Sequence, residues 1–172
     1  MVLLQTITEE DFGRPTHADQ WPTYRLRPSA RAVLFDDTSR VALMHVVSDN
    51  YYKLPGGGID EGEDIHTGLK RELLEEVGAK SIDILGEIGQ IDVYFEELKM
   101  KSEHICFIVK LKGSIIEPQR TDEEIAEGYE TVWASDIDAA IALVESGDPK
   151  EYGHEFEKLR ELTFLKQAKK HI

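Results

Sequence analysis

The residues best placed for chemistry lie in a glycine-rich loop, Leu54-Pro55-Gly56-Gly57-Gly58-Ile59-Asp60-Glu61-Gly62-Glu63, and in the segment after it. Glycine loops often cradle phosphate through their backbone N–H groups. A dinucleotide fingerprint that starts at Gly56 fails, because its final glycine position holds Glu61. A P-loop that starts at Gly57 fails at Glu63, which stands where the phosphate-binding lysine is needed. The loop therefore either avoids phosphate or contacts it through a divalent metal ion.

Three carboxylates follow the loop at helical spacing. At 3.6 residues per turn, Glu72, Glu75 and Glu76 fall within one sector of about 100°. Arg71 lies beside Glu75 on this helix, within ion-pair range. A separate apolar stripe, which predicts the buried side, consists of Leu69, Leu73 and Val77. Oxygen-only ligands suit Mg²⁺ or Mn²⁺, whereas the alternative interpretation is a solvated acidic face with no ligand.

The spacing of the whole segment resembles the Nudix box of MutT-like hydrolases. It reads as Gly57, five residues, Glu63, seven residues, and then Arg71-Glu72-Leu73-Leu74-Glu75-Glu76-Val77-Gly78-Ala79. Every polar and glycine position of that signature matches across residues 57–79. The one departure is Ala79, where a larger aliphatic residue is usual, and this change concerns packing rather than chemistry. The resemblance implies a Nudix hydrolase.

The resemblance also implies a set of metal ligands. Glu75 and Glu76 match the main metal carboxylates of the family, and Glu72 matches one that binds metal or orients the attacking water. The backbone carbonyl of Gly56 matches a further ligand. Mg²⁺ or Mn²⁺ bound there would neutralise a substrate diphosphate and orient water for in-line attack, which would explain the missing phosphate-binding lysine.

The same resemblance assigns Arg71 and Glu63 to the geometry of the motif and leaves the general base open. Some family members use a carboxylate of the box, and others use one from a later loop. Five acidic residues lie in such a loop, between a predicted strand at 105–111 and Trp133: Glu117, Asp122, Glu123, Glu124 and Glu127. We choose Glu124 because it lies mid-loop, and Glu72 is the alternative base. A solvated surface charge is the other interpretation for each of the five.

Four residues are predicted to contact the substrate. The loop glycines Gly57 and Gly58 belong to the motif, and Arg31 could reach a phosphate or a base. Tyr94 lies 15 residues past Ala79, where family subgroups place specificity residues, and could stack on a base. A structural ion pair for Arg31 and core packing for Tyr94 are the alternatives. The six histidines form no metal-binding spacing.

The elements around the motif predict one mixed domain. Strands are expected at 30–35 and 41–47, joined as a hairpin, and at 82–91, 93–95, 105–111 and 131–134. Helices are expected at 64–77, ending at Gly78, after an N-cap at Ser135, and around 151–170. We predict an N-terminal arm at 1–27 and a Nudix hydrolase domain at 28–172 that includes the C-terminal helix. The fold class is α/β (α+β), a Nudix-like α/β/α sandwich with a mixed central sheet.

Composition narrows the partners. The 172 residues carry 20 Lys plus Arg against 34 Asp plus Glu, a formal net charge of −14. Such a chain repels phosphate backbones, so nucleic-acid polymers are poor partners, whereas a small nucleotide is acceptable. Cys106 is the one cysteine, and neither a signal peptide nor a run of about 18 apolar residues is present. We therefore expect a cytoplasmic protein without membrane partners, with homodimerisation left open.

Together with these patterns, the resemblance to the Nudix family implies a Mg²⁺- or Mn²⁺-dependent pyrophosphohydrolase that cleaves a nucleoside diphosphate linked to another group. A nucleoside triphosphate, oxidised forms included, is the first substrate considered. A dinucleoside polyphosphate or a nucleotide sugar is the second. The alternative from another class is a Nudix domain that binds nucleotide without turnover. The intact set of Arg71, Glu72, Glu75 and Glu76 argues against it, because a domain that only binds would not need all four.

Overall fold

The computed structural model describes residues 2–172, except for the side chain of Glu123. Glu123 is one of the acidic residues considered as a base, and its side chain lies outside the described residues. The strands are β1 (Leu3–Ile7), β2 (Arg25–Phe35), β3 (Val41–Val46), β4 (Tyr51–Lys53), β5 (Ile82–Phe95), β6 (Met100–Leu111) and β7 (Tyr129–Ala134). The helices are α1 (Ile65–Val77), α2 (Asp122–Ala126), α3 (Ile137–Ser146) and α4 (His154–Ala168). Short 3₁₀ helices occupy Glu9–Phe12, Ala18–Thr23 and Val47–Asp49.

The strands of the described residues form one mixed sheet. Its order is β1-β5-β6-β2-β3-β4, and β7 pairs with β3 along its whole length, Val41–Val46. The β1–β5 and β2–β6 pairs are parallel, whereas β5–β6, β3–β4 and β3–β7 are antiparallel. The β2–β6 ladder runs unbroken from the pair of Arg25 and Met100 to the pair of Phe35 and Lys110. β2 therefore lies inside the sheet, next to the glycine loop.

Helices cover both faces of the sheet. The α1 stripe is fully buried against one face, with Leu69, Leu73 and Val77 packed on Leu34 and Val109. The α3 and α4 helices cover the other face through Val144, Phe156, Phe164 and Leu165, which pack with Val33 and Ile91. This arrangement confirms the predicted α/β/α sandwich with a mixed central sheet.

The predicted hairpin at 30–35 and 41–47 is confirmed only at its turn. Phe35 pairs with Val41, and β3 then leaves β2 to pair with β4 and β7. On the side of β2 that faces away from β6, the glycine loop takes the place that β3 would occupy in a hairpin. The N–H groups of Ala30 and Ala32 donate to the carbonyls of Gly57 and Pro55, each at 3.0 Å. The departure of β3 leaves this edge of β2 to the loop.

Several boundaries differ from the prediction. β2 begins at Arg25 instead of residue 30, and β6 begins at Met100 instead of residue 105. The strands expected at 82–91 and 93–95 are one strand, β5, because Asp92 continues the ladder opposite Glu103. The carboxylate of Asp92 also forms an ion pair with Lys101 at 2.9 Å. The N-cap of α3 is Asp136 rather than Ser135: the Asp136 carboxylate accepts the N–H of Ala139 at 2.8 Å. The short elements β1, β4 and α2 were not predicted.

The N-terminal residues contact both the sheet and α4. β1 adds to the edge of β5 in parallel register, and the ring of Phe12 lies 4.4 Å from that of Phe156. The division at residue 27 between an arm and a domain stays a prediction.

Candidate active site

The glycine loop is held against β2 by its own backbone. Besides the two bonds to Ala30 and Ala32, the N–H of Ile59 donates to the carbonyl of Pro28 at 3.0 Å. Gly56 has φ +126, and a Cβ there would collide with the carbonyl of Ala30. Only glycine combines this backbone angle with so close an approach. The position therefore places the Gly56 carbonyl and N–H over the sheet in a fixed orientation.

α1 begins and ends as its sequence predicts. The Asp64 carboxylate accepts the N–H groups of His66 and Thr67 at 3.1 Å, and Gly78 ends the helix with φ 76 and bonds to the carbonyls of Leu73 and Leu74. With its apolar stripe buried, the helix turns its acidic sector toward the loop. A Cβ on Gly57 would meet the carboxylate of Glu72, so the missing side chain leaves room for that carboxylate.

Glu76 is the most buried of the three helix carboxylates, with 2% of its surface exposed. Its Oε2 accepts the N–H of Gly56 at 2.6 Å, which joins helix and loop. Burial raises the pKa of Glu76 to about 7, although the cations Lys53 and Arg31 act in the opposite direction. A further cation close to this carboxylate, in addition to Lys53 and Arg31, would favour its charged form.

Arg71 connects the loop to the helix. Its guanidinium contacts both carboxylate oxygens of Glu63 at 3.1 and 3.2 Å, and it donates to the carbonyl of Gly58 at 3.0 Å. It also contacts Glu72 at 2.8 Å and Glu75 at 3.3 Å. The predicted Arg71–Glu75 pair is thus confirmed, and Glu63 and Glu72 are closer partners. The hydrogen bond to Glu63 is the main cause that raises the pKa of Arg71 above its usual value.

The donor chemistry of the site fits a hard divalent cation. Glu72, Glu75, Glu76 and the carbonyl of Gly56 offer oxygen atoms only, as Mg²⁺ and Mn²⁺ prefer. Within the described part of the chain, no three His, Cys, Asp or Glu side chains form a complete metal site by themselves. Mg²⁺ seldom needs one, because it keeps several waters and commonly takes one or two carboxylates together with substrate phosphates.

The loop and α1 form one side of a cleft of about 350 Å³. The predicted site residues that line it are Arg31, Gly56, Gly57, Gly58, Arg71, Glu72, Glu75, Glu76 and Glu124. The cleft residues that the sequence analysis did not select are Arg27, Lys53, Thr121, Tyr129 and Glu157. Glu127, one of the candidate bases, also lines it, whereas Glu117 and Asp122 do not.

The floor of the cleft carries two buried cations. Arg31 is 3% exposed and Lys53 8% exposed, and neither forms an ion pair with any carboxylate that the structure describes. Arg31 donates to the carbonyl of Gly56, while its Nε has no partner among the described residues. Lys53 donates to the hydroxyl of Tyr129 at 2.8 Å. Burial lowers the pKa of Lys53, but the carboxylates of Glu157 and Glu76 outweigh it, so that the pKa is raised.

Glu124 lies in the cleft and also caps the start of α2. Its carboxylate accepts the N–H of Thr121 at 2.7 Å, and the Thr121 hydroxyl accepts the N–H of Glu124 at 3.3 Å. This reciprocal pair is a capping box. The sequence signal of a capping box is the spacing Thr121-x-x-Glu124, and this spacing could have predicted where α2 begins.

Tyr94 lies outside the cleft. Its ring stacks on Trp21 with 3.9 Å between centroids, and the ammonium of Lys101 lies 5.7 Å from it. Trp21 belongs to the N-terminal segment, so this aromatic pair contacts the segment instead of lining the cleft.

Two of the missed residues carried a usable signal. Lys53 directly precedes the Leu54-Pro55-Gly56 lead-in to the motif. Arg27 lies four residues before Arg31, and strand alternation therefore places both on one face of β2. Glu157 lies about a hundred residues away, on α4, and no local pattern points to it.

In the described residues, no helix combines the length and apolar character needed to cross a bilayer. Residues 25–156 match the NUDIX domain family. A protein of Caulobacter vibrioides named RNA pyrophosphohydrolase is 43% identical over 63 residues, which cover 35% of this chain and 37% of that protein. A protein of the same name from Wolbachia pipientis wMel is 34% identical over 90 residues, 52% of this chain and 54% of that one. The chain thus matches little more than a third of the first relative and about half of the second.

Solved structures share the fold. A NUDIX hydrolase from Nitrosomonas europaea superposes with a TM-score of 0.63 at 16% identity, over 86% of this chain and 90% of that one. The E. coli dihydroneopterin triphosphate pyrophosphohydrolase gives a TM-score of 0.55 at 17% identity, over 84% and 96% of the two chains. At these identities the likeness extends to the fold alone.

Proposed function

The chain belongs to the Nudix family, and from this premise we propose that it is a divalent-metal-dependent pyrophosphohydrolase of a nucleoside diphosphate linked to another group. The observation that carries the proposal is the oxygen-only set of Glu72, Glu75, Glu76 and the Gly56 carbonyl beside a cationic floor. Mg²⁺ or Mn²⁺ bound to that set would supply Lewis-acid activation of a phosphoanhydride.

The protein's own residues have separable tasks in this proposal. Arg71 holds Glu72 and Glu75 in position through its guanidinium. Glu124, or Glu72 in the box, takes a proton from the water that attacks phosphorus while the phosphoanhydride P–O bond breaks. Glu127 lines the same side of the cleft and is a further candidate for this task. Arg31 and Lys53 bind phosphate oxygens from below, and Gly57 and Gly58 allow the substrate to approach the loop.

The cationic floor supports a nucleoside triphosphate as the first substrate. A metal ion held by the box carboxylates would neutralise part of a diphosphate, and a third phosphate would need further positive charge. Arg31 and Lys53 provide that charge without a competing ion pair among the described residues. A dinucleoside polyphosphate carries at least as many phosphates and is the second candidate. A nucleotide sugar carries one phosphate fewer than a nucleoside triphosphate. It would leave Arg31 or Lys53 without a phosphate partner.

The names of the relatives favour one further candidate, the 5′-triphosphate end of an RNA. The triphosphate group at this end of the RNA is chemically the same as that of a nucleoside triphosphate. The net charge of −14 opposes contacts along the rest of an RNA strand.

A substrate panel with metal control tests the proposal. Release of phosphate or pyrophosphate would be measured for the four nucleoside triphosphates, a dinucleoside tetraphosphate, a UDP-sugar and a short 5′-triphosphorylated RNA, with Mg²⁺, Mn²⁺ or EDTA. We expect metal-dependent hydrolysis with triphosphates fastest. Hydrolysis of none, together with a rise in melting temperature on addition of nucleotide and metal, would favour the binding domain without turnover.

A further inference from the structure

A second cavity of about 180 Å³ adjoins the cleft. It lies where the ends of β5 and β6 meet the first turn of α4, and it shares Arg27 and Glu157 with the cleft. Its apolar lining includes Phe95, Met100 and Tyr152, and its polar lining includes His104 and Arg160. A substrate whose phosphates occupy the cleft would thus lie next to a cavity that is partly lined by aromatic side chains.

The tautomer of His104 follows from its neighbour. His104 is 1% exposed, and its Nε2 lies 3.1 Å from a guanidinium nitrogen of Arg160. A guanidinium only donates hydrogen bonds, so Nε2 must accept and the proton of a neutral ring must reside on Nδ1. Burial and the charge of Arg160 hold the pKa of His104 well below its usual value, consistent with a neutral ring.

The Nδ1–H of His104 is then a buried donor without an acceptor, since Nδ1 has no partner among the described residues. Such a group costs stability unless a ligand or a water pairs with it. Other donors of the cavity are engaged: Arg160 contacts Glu161 through Nε and a second nitrogen, and the Ser102 hydroxyl donates to the carbonyl of Arg27 at 3.1 Å. The Arg27 guanidinium forms no ion pair with a residue that the structure describes. The cavity lining therefore includes one donor that is unpaired among the described residues, and an acceptor atom on a ligand would satisfy it.

We propose that this second cavity binds the base of the nucleotide substrate and selects bases that carry a carbonyl oxygen over those with an amino group at the same position. Guanine is then preferred over adenine, and uracil over cytosine. Guanine O6 and the O4 of uracil accept a hydrogen bond, whereas the N6 of adenine and the N4 of cytosine donate one. An amino group would face the Nδ1–H of His104 donor to donor. The aromatic side chains of the cavity can pack against the flat face of any base. The choice between bases therefore depends on the hydrogen-bonding atoms at the edge of the base. This inference rests on the proposed function, because it presumes a nucleotide in the cleft.

Two substitutions of nearly equal shape separate the donor from the rest of the side chain. In His104→Asn the amide nitrogen can occupy the place of Nδ1 and still donate, whereas His104→Leu offers no donor. Both variants lose the contact with Arg160 equally. We expect the parent to favour GTP over ATP, and UTP over CTP, by about tenfold or more in kcat/KM. His104→Leu should reduce both ratios to within about twofold, and His104→Asn should retain most of each.

The control is His45→Leu, the same change at a histidine that lines neither cavity, and it should leave both ratios unchanged. Equal kcat/KM values for GTP and ATP in the parent, or ratios that His104→Leu does not alter, would overturn the inference while the hydrolase proposal stands.

A binding measurement without metal separates the two proposals and does not depend on the variants folding. GMP and AMP would be titrated into the parent while the ¹⁵N signals of its histidine rings are followed. We expect GMP to bind more tightly and to shift the Nδ1–H signal of His104, even if no nucleotide is hydrolysed. Binding of both that leaves this signal unmoved would contradict the inference.

Discussion

One guanidinium, that of Arg71, connects three acidic residues of the box. It contacts Glu63, Glu72, Glu75 and the carbonyl of Gly58. Without it the carboxylates of one helix face would repel one another and could turn toward solvent. The planar fork of arginine reaches several acceptors at once, which the single ammonium of lysine cannot do.

Arg71→Lys should therefore impair catalysis more than folding. We expect a loss of about 10- to 100-fold in kcat/KM, the range typical when a group that orients metal ligands is removed, with only a small change in melting temperature. Lys70→Ala, at the exposed neighbouring position on α1, is the matched control and should keep normal activity. An Arg71→Ala protein as active as the parent would show that the proposed orientation of Glu75 is wrong.

At the scale of elements, α2 and the turn before β3 each depend on one carboxylate. Glu124 closes the capping box of α2. Asp36 accepts the N–H groups of Thr38 and Arg40 at 2.9 Å and pairs with the Arg40 side chain at 2.7 Å. In both elements one carboxylate organises a short segment of the chain.

Glu124→Gln separates capping from catalysis, because glutamine also closes a capping box. If Glu124 is the base, kcat should fall by about 100-fold or more with KM unchanged and α2 retained. Glu127→Gln tests the other acidic residue of this loop in the cleft, and Glu117→Gln, outside the cleft, is the control. Near-normal kcat in both cleft variants would return the role of base to Glu72.

Asp36 should make the protein more stable at neutral pH than in acid. Burial alone would raise its pKa, but the hydrogen bonds from Arg40 and Thr38 outweigh it and lower the pKa to about 2. A depressed pKa stabilises the fold above the pKa of the unfolded chain and ceases to do so as the pH falls toward 2. Urea unfolding should show the parent roughly 1 to 2 kcal/mol more stable than Asp36→Asn at pH 7, with the gap closing near pH 2. A gap that persists at pH 2 would contradict this cause.

At the scale of the whole molecule, the N-terminal residues connect the sheet edge to α4. The Tyr152 hydroxyl donates to Glu9 at 2.5 Å, and Arg14 pairs with both Glu9 and Glu155. Phe12 packs on Phe156, whose ring is fully buried. Since α4 also supplies Glu157 to the cleft, these contacts support one side of the site.

Phe12→Ala should destabilise the protein without changing its chemistry. Truncating a half-buried aromatic ring costs about 2 kcal/mol, which lowers the melting temperature by about 4–8 °C in a chain of this size. Turnover at low temperature should equal that of the parent. Val2→Ala, at a position 66% exposed, is the control. Equal melting temperatures of both variants would show that the segment does not brace α4.

Local signals predicted α1 and its acidic sector, because the helical spacing from residue 64, the stop at Gly78 and the carboxylate spacing all lie within one segment of the chain. Local signals could not predict contacts between residues that are far apart in the sequence. Tyr51 donates to Glu157 at 2.7 Å across about a hundred residues, and β1 pairs with β5 across more than eighty. Tyr94 could not be placed because its partner, Trp21, belongs to the segment predicted only as an arm.

The central claim is that the buried carboxylate of α1 serves metal-dependent cleavage of a phosphoanhydride. Glu76→Gln tests it directly, since glutamine still offers an oxygen to the N–H of Gly56 and should preserve the fold. ³¹P spectra of a nucleoside triphosphate would be followed with each protein at limiting Mg²⁺ and again in EDTA. We predict that Glu76→Gln is slower than the parent by more than about 100-fold, and that EDTA stops the parent. Normal turnover of Glu76→Gln at limiting Mg²⁺, or undiminished hydrolysis by the parent in EDTA, would contradict the claim.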